Sequence, residues 1–572
     1  MGLSADSGTI GAMAQMTGKR ALLEQLRLDG VRHIFGNPGT TEQGFMDVLQ
    51  DYPDVQYLLA LHEGVAISMA DAYARVTRRP AFVEVHIAPG LGNALGMMHN
   101  ARVGMTPLVI YAGQSASAAL LQEPHLSGPL VDMARPICKW AVQVEHAHDV
   151  PQAVRRALKV AEEPPQGPVF LSLPIDVLDE PTDAPIIPTS FTRWRNRPDA
   201  TAVLEAAELL LRARKPMLLL GDGVFASGAQ AQAVAVAELL GAPILECYAS
   251  EFNAPAGHPL YRGSVDFVTP RRLREALAGC DALLAVGAPL FQIIFPEPGR
   301  PVLDEATQVV QIDANSWQLG RNSPPAIGLL SDPRGALEDL AEQLRGRQSS
   351  AQRAEAEARG TAVAHENDVA REGYWAAARQ SWDKTPISGP RLMSEIWDAA
   401  PADSLFFTEA VTNGQHLERA IQARAPERLV RVRGGGIGGG LAGALGAQLA
   451  RPERKVVGIC SDGSSMYSIT ALWTAAHHRL PVTWVILSNA SYRILKLNMI
   501  EYLGQQVASA RQFTAMDLTD PSLRFDRMAE AMGVPAWYVN DPAKLAPTLR
   551  EAMSTGPSLV HVDMESPLPL PS

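Results

Sequence analysis

Short apolar runs alternate with amphipathic stretches along most of the chain. Residues 21–28 place their apolar side chains on one helical face and stop at Asp29-Gly30. An apolar piece at 33–35 follows and is cut off by Gly36-Asn37-Pro38-Gly39. The same reading predicts strands at 55–59, 81–86, 108–112 and 169–173, and helices at 64–75 and 93–102. Pro89-Gly90 reads as a break between a strand and the next helix. Strands alternating with helices of about 10–15 residues predict a parallel sheet with helical crossovers.

Two further segments repeat the alternation. Strands are expected at 217–220, 243–245, 282–286 and 309–312, with an Ala-rich helix at 228–240. Strands at 405–407, 456–459, 483–487 and 559–562, with helices at 472–477 and 525–532, make up the third. Between them, 349–371 loses its strand signals and becomes rich in Ala, Glu, Gln and Arg, as a helical or loosely ordered connector does. The expected architecture is α/β: three doubly wound parallel-sheet domains at 1–190, 191–346 and 389–572, with a linker at 347–388. The first and third segments share a layout, as two related domains would. The Pro-rich stretch 566–572 is expected to fray.

Composition narrows the function classes. Aromatic residues are 6% of the chain and hydrophobic residues 47%, so the cores must be mainly aliphatic. A net charge of -11 argues against nucleic acid as a partner, which would call for a basic stripe. Cys138, Cys247, Cys280 and Cys460 are far apart and form no C-x-x-C pair, which fits a reducing cytoplasm and no zinc finger. The N-terminal stretch lacks the basic and apolar regions of a signal peptide. No uncharged apolar run reaches about 18 residues, so no membrane partner is expected.

The chemistry concentrates after strand 456–459. Cys460-Ser461-Asp462-Gly463-Ser464 runs into a helix whose free N–H groups suit a phosphate. Gly463 lets the backbone approach a ligand closely. Asp-Gly-Ser alone is an ordinary turn; its spacing to Asn489 is what matters. Asn489 ends the next strand, 27 positions beyond Asp462. That is one helix and one return strand, so both residues emerge at the same sheet edge, where open parallel sheets bind ligands. The Asp462 carboxylate, the Asn489 amide oxygen and a carbonyl such as that of Ser491 suit an octahedral Mg²⁺ that bridges a diphosphate.

Asp462-Gly463 followed at this distance by Asn489 resembles the thiamine-diphosphate signature. The run DGSSMYSITALWTAAHHRLPVTWVILSNASY is similar to the benzoylformate decarboxylase branch of the thiamine-diphosphate-dependent 2-keto acid decarboxylases and carboligases. So are GNPGTTE at 36–42 and AFVEVHIAPGLGNALG at 81–96. The resemblance covers nearly the whole chain and is weakest in the middle. It implies thiamine diphosphate and Mg²⁺ as cofactors, a first domain that binds the aminopyrimidine and a third that binds the diphosphate. It also implies a homotetramer, a dimer of dimers with active sites between subunits, acting on a small 2-keto acid or aldehyde.

Glu63 opens a helix, where a carboxylate ordinarily just complements the dipole; the resemblance makes it the group that activates the pyrimidine ring. Ile437, alone among glycines 434–440, is implied to be the wedge that bends the cofactor, with the Gly435 carbonyl facing its amino group. Thr412, Gly463 and Ser464 are implied at the diphosphate. His86 is implied as an acid–base group, while Thr40 and Gln114 are implied to face substrate. Thr40 replaces the serine usual in the decarboxylases.

Two departures stand out. After Gly287-Ala288-Pro289-Leu290-Phe291, where the benzoylformate decarboxylases carry a second histidine, this chain has Ile294. Ser461 replaces the first glycine of the signature. Three readings follow. One is decarboxylation of a 2-keto acid through an enamine; the second is a carboligase or lyase of the acetolactate synthase type, favoured by the lost proton donor. The third is a catalytically silent cofactor-binding subunit. The stretch 493–512 is expected to border the pocket, with Met499 and Tyr502 as lining candidates. Gly221-Asp222-Gly223 is too weak a signal to assign FAD to the middle segment.

Overall fold

The computed structural model describes residues 15–191, 195–248, 250–265, 267–504 and 513–568. The chain divides into two compact units, Met1–Thr192 and Arg193–Ser572. The last residues of the expected frayed tail, 569–572, and part of the expected pocket border, 505–512, lie outside the described residues.

The first unit is built on a six-stranded parallel sheet. In spatial order its strands are Gln56–Leu59, His33–Asn37, Ala81–Val85, Leu108–Gln114, Val169–Pro174 and Trp140–Gln143. One face packs Ile34, Phe82, Val109 and Leu171 against Leu22, Leu26, Val154 and Leu158 of the helices Gly18–Leu28 and Val150–Glu162. On the other face Phe35 meets Tyr73 of the helix Glu63–Thr77. Both faces are covered, so the strands read as continuous apolar runs.

The second unit carries two more six-stranded parallel sheets. One runs Tyr261–Val265, Ile244–Cys247, Pro216–Leu220, Ala282–Val286, Gln308–Asp313, Ile327–Leu330. The other runs Leu429–Arg431, Leu405–Glu409, Val456–Ser461, Thr483–Ser488, Ser558–Asp563, Ala536–Val539. Numbered along the chain, the first and third sheets share the order 2-1-3-4-6-5, while the middle sheet has 3-2-1-4-5-6. The expected likeness of the outer segments is therefore a likeness of topology.

Several local expectations change. The strands Trp140–Gln143, Tyr261–Val265, Ile327–Leu330, Leu429–Arg431 and Ala536–Val539 were not expected, and each lies at a sheet edge. Pro89 does not break the chain. It is the third residue of the helix Ile87–Val103, where a missing N–H costs nothing because the first four have no partner within the helix. The helix expected at 228–240 starts at Gln230, and a short helix Asp222–Ser227 precedes it.

The connector is ordered. Ser350–Arg379 is one helix of 30 residues, opened by a capping box between Ser349 and Gln352. It lies on the end of the helix Gln230–Leu240: Arg359 Nη2 donates to the Leu240 carbonyl at 2.6 Å. Gly241 makes this approach possible. Its φ is +56°, and a Cβ there would stand 1.9 Å from the Ala356 carbonyl oxygen. Gly241→Ala is expected to cost about 2 kcal/mol or more, from left-handed backbone and collision together. A lower urea midpoint checks it; an unchanged midpoint would mean the connector is not held there.

Candidate active site

At the edge of the third sheet, the parallel register sets Ser461 opposite Leu487, so the residues that follow both strands emerge side by side. Asp462 is 2% exposed and begins a short helix. Its Oδ1 accepts the Gly463 N–H at 2.7 Å and its Oδ2 accepts the Ala490 N–H at 2.7 Å. Ala490 takes a left-handed φ of 53°, which turns the chain so that Asn489 and Ser491 flank the carboxylate. Asn489 Oδ1 accepts the Ser491 N–H at 3.1 Å. Burial pushes the Asp462 carboxyl above its ordinary pKa, against those N–H groups; a bound cation would favour its ionised form. One carboxylate with amide and carbonyl oxygens is a hard donor set that fits Mg²⁺, provided that phosphate oxygens and water complete the shell.

Aromatic side chains close over this edge. A Cβ at Gly463 would lie 2.5 Å from the Tyr492 ring, and one at Gly438 would lie 2.6 Å from Tyr467 Cβ. Ser464 Oγ is turned inward to the Ser461 carbonyl at 3.1 Å.

The glycine turn ahead of the helix Gly439–Ala450 has positive φ at Gly434, Gly435 and Gly438. It presents Ile437 half-buried, and a Cβ at Gly435 would meet nothing within 4 Å. Glu409, at the end of its strand, holds the downstream side of the turn. Its carboxylate accepts the Gly438 and Gly440 N–H groups, both at 2.8 Å. Burial lifts the Glu409 pKa to about 7 despite these donors. Sequence reasoning missed Glu409; a carboxylate ending an apolar strand was the signal. Thr412 is half-buried in the loop after this strand.

At the carboxyl edge of the first sheet, Glu63 is 4% exposed. Its Oε2 accepts from Asn93 Nδ2 at 3.0 Å and its Oε1 from Asn37 Nδ2 at 3.4 Å, which leaves lone pairs free. His86 immediately precedes the helix Ile87–Val103, and Gly90, one turn on, lies close to the Glu63 carboxylate and the His86 Cβ. A Cβ on Gly90 would be 2.7 Å from Glu63 Oε1 and 3.2 Å from His86 Cβ. His86 Nδ1 lies 2.8 Å from Oε2 of the fully buried Glu42. The same carboxylate accepts from the N–H groups of Gly39 (3.0 Å) and Gly113 (2.9 Å) and from Thr41 Oγ1 (2.7 Å). Glu42 thus takes three protein donors and stands against one ring nitrogen of His86, which fixes the orientation of the imidazole and leaves Nε2 on its far side.

Thr40 and Gln114 were the residues expected to face substrate. Thr40 is exposed, and Thr41 is the residue whose hydroxyl touches Glu42, so the turn presents the second threonine to the histidine. Gln114 is buried, with Nε2 on the Gly128 carbonyl at 3.0 Å and Oε1 accepting the Ser115 N–H at 3.0 Å. Its amide holds a loop at the same sheet edge as His86. Glu42, Asn37 and Asn93 escaped sequence reasoning, although Gly39 and Glu42 have capping-box spacing. In the other unit, Ile294 is 65% exposed, and Phe295 beside it meets Tyr502 with ring centroids 6.3 Å apart. Met499 is half-buried on the same helix as Tyr502, Arg493–Leu503.

Family models of thiamine pyrophosphate enzymes match three stretches: the N-terminal TPP binding domain at 16–130, the central domain at 203–340 and the C-terminal TPP binding domain at 412–562. The chain belongs to the thiamine pyrophosphate enzymes. This thiamine pyrophosphate enzyme is 34% identical to the benzoylformate decarboxylase of Pseudomonas aeruginosa over 96% of its own length and 98% of the relative's. It is 27% identical to an acetolactate synthase large subunit of Escherichia coli, over 96% and 95%. Among solved structures it resembles the benzoylformate decarboxylase from Polynucleobacter necessarius, with a TM-score of 0.84, 26% identity and coverage of 97% and 99%. A thiamine diphosphate-dependent 4-hydroxybenzoylformate decarboxylase of Rhodococcus jostii gives 0.82, 27%, 96% and 100%. The chain is thus a thiamine-diphosphate-dependent enzyme of the decarboxylase and acetolactate synthase family. Among the described residues no helix is long and apolar enough to cross a membrane.

Glu84 lies behind the Glu63 and His86 pair. Burial, then the charge of Glu42, raises its pKa to about 8, with Glu63 adding to the rise and the Tyr57 hydroxyl opposing it. Glu84 Oε1 and the nearby Tyr111 hydroxyl have no hydrogen-bond partner among the described residues. The folded protein therefore binds more protons here than the unfolded chain between the ordinary 4.5 and about 8. That contribution to stability is complete below 4.5 and is lost as pH rises through about 8. Glu84→Gln is expected to flatten the fall of Tm between pH 5 and 8; an unchanged slope would mean that Glu84 is already ionised.

Proposed function

We propose that this enzyme decarboxylates a 2-keto acid in the manner of the benzoylformate decarboxylases, using thiamine diphosphate and Mg²⁺. The observation that supports the reading is a buried carboxylate, Glu63, and an imidazole, His86, at one sheet edge, with the backbone of Gly90 close to the side chains of both. Thiamine diphosphate, when bound, would supply a nucleophilic carbon for the keto group and an electron sink for the loss of CO₂.

The chain's own residues supply the rest. Glu63 would exchange a proton with the aminopyrimidine, and the Gly435 carbonyl would accept from its amino group. Ile437 would pack against the cofactor and set its shape. Asp462, Asn489 and the Ser491 carbonyl would hold Mg²⁺, while Gly463, Ser464 and Thr412 would face the diphosphate. His86, oriented by Glu42, moves a proton at the reacting carbon through Nε2. Thr40 and Gln114 stand towards substrate, Gln114 by fixing the loop at Gly128. Residues 1–190 bind the pyrimidine, 191–346 form the middle domain, 347–388 link, and 389–572 bind the diphosphate. The active form is a homotetramer in which a partner subunit completes each site, checked by sedimentation. Cysteines free of disulfides fit a cytoplasmic enzyme.

A carboligase is the second reading, and Ile294 favours it. An aliphatic side chain cannot donate a proton, so release of free aldehyde rests on His86 alone. NMR of products from benzoylformate and from pyruvate, each with and without an acceptor aldehyde, separates the two. Benzoylformate is expected to give CO₂ and free aldehyde; a coupled hydroxyketone as main product would select the carboligase. Glu63→Gln is expected to lower turnover at least about 100-fold while cofactor still binds; unchanged turnover would remove the assigned proton chemistry. Ile294→His is expected to shift products several-fold towards free aldehyde, and a partition that stays put would show that position 294 plays no part in protonation.

A further inference from the structure

The order 3-2-1-4-5-6 of the middle sheet creates a switch point between Pro216–Leu220 and Ala282–Val286, where open parallel sheets take ligands. In this chain the protein fills that point itself. The Gly221 N–H donates to the Val286 carbonyl at 3.0 Å and the Gly223 N–H to that of Gly287 at 3.2 Å. A Cβ at Gly221 would lie 2.4 Å from the Gly287 carbonyl oxygen, so the two loops meet backbone to backbone. Asp222 lies at this edge, directly after Gly221. It is paired bidentately with Arg433, Nη1 to Oδ1 at 2.6 Å and Nη2 to Oδ2, and its Oδ1 also accepts the Glu251 N–H at 2.8 Å. Both side chains are almost fully buried.

Arg433 immediately precedes the glycine turn that carries Ile437. The chain remains extended there, with the Val432 N–H on the Thr408 carbonyl at 3.0 Å, so Arg431 and Arg433 point to the same side. Arg431 reaches Gln422 and Glu418 and lies beside Glu246 of the strand Ile244–Cys247. The carboxyl edge of the middle sheet is thus the bed on which the segment ahead of the turn rests. Glu409 fixes the other side of the turn through Gly438 and Gly440.

We propose that Asp222 is a positioning residue for the cofactor: through Arg433 it clamps the upstream end of the turn at 434–438 and so presets Ile437 and the Gly435 carbonyl. The clamp rests on the cofactor reading above. A planar guanidinium gripped at both nitrogens fixes direction as well as distance, which a lone charge does not. The middle sheet thereby spends its ligand edge on shaping a neighbour's site.

The test uses the full-length protein and three variants: Asp222→Asn, Arg433→Gln and the double. Hydrogen exchange of the amides at 434–440, without cofactor, reads the clamp directly. Exchange is expected to rise at least about tenfold in each single variant and no further in the double, because the pair acts as one unit. Thiamine diphosphate Kd, followed by tryptophan quenching, is expected to rise at least about tenfold in the same pattern. A purely structural role would lower the melting temperature but leave both readouts unchanged in the folded protein. If a single variant does not fold, the neutral double decides, with the same expected changes. Wild-type exchange and wild-type Kd in the folded variants, or single effects that multiply in the double, would overturn the clamp. Faster exchange in the variants with no thiamine diphosphate binding even by the wild type would uphold the clamp and sink the cofactor reading instead.

Discussion

Parallel strand pairing decides where this protein can do chemistry. Ser461 sits opposite Leu487, Val85 opposite Ala112, and Asn37 opposite Val85. Neighbouring strands therefore end level, and the residues just beyond them gather at one edge. Asp462 with Asn489, and Asn37 with His86 and Gln114, are neighbours for that reason alone. Helices begin where strands stop, so each gathering also faces backbone N–H groups not yet used. A register slip of one residue would scatter the side chains to opposite faces.

The second recurrent device is a carboxylate buried against glycine backbone. Glu42 takes the N–H groups of Gly39 and Gly113, and Glu409 takes those of Gly438 and Gly440. Burying a carboxyl costs free energy, visible in the raised pKa of Glu409 and Glu84. Donors already held by the fold offset part of the cost. In return, a segment rich in glycine, which would lose much conformational freedom on ordering, is pinned at a defined point.

What the sequence disclosed and what it withheld follow from the same physics. Central strands, buried on both faces, announced themselves as apolar runs; an edge strand such as Tyr261–Val265, with Arg262 and Ser264 in its run, did not. Asp462 and Asn489 were legible because one helix and one strand separate them, a spacing that local structure sets. Glu42 with His86, and Glu63 with Asn93, were not, since each pair joins separate segments through a fold whose turns were unseen. Thr40 and Thr41 differ by one position, and only the path of the turn decides which hydroxyl faces the histidine. Pro89 misled because a helix tolerates proline in its first turn, and the start of that helix had been placed six residues late.

The outer sheets share the order 2-1-3-4-6-5, and the middle sheet is wound differently. In both outer sheets a buried glutamate grips glycine N–H groups, Glu42 just beyond the first strand of one and Glu409 at the end of the first strand of the other. Sheets wound alike thus arrive at one fastening in two settings, with Glu42 turned to an imidazole and Glu409 to a helix start.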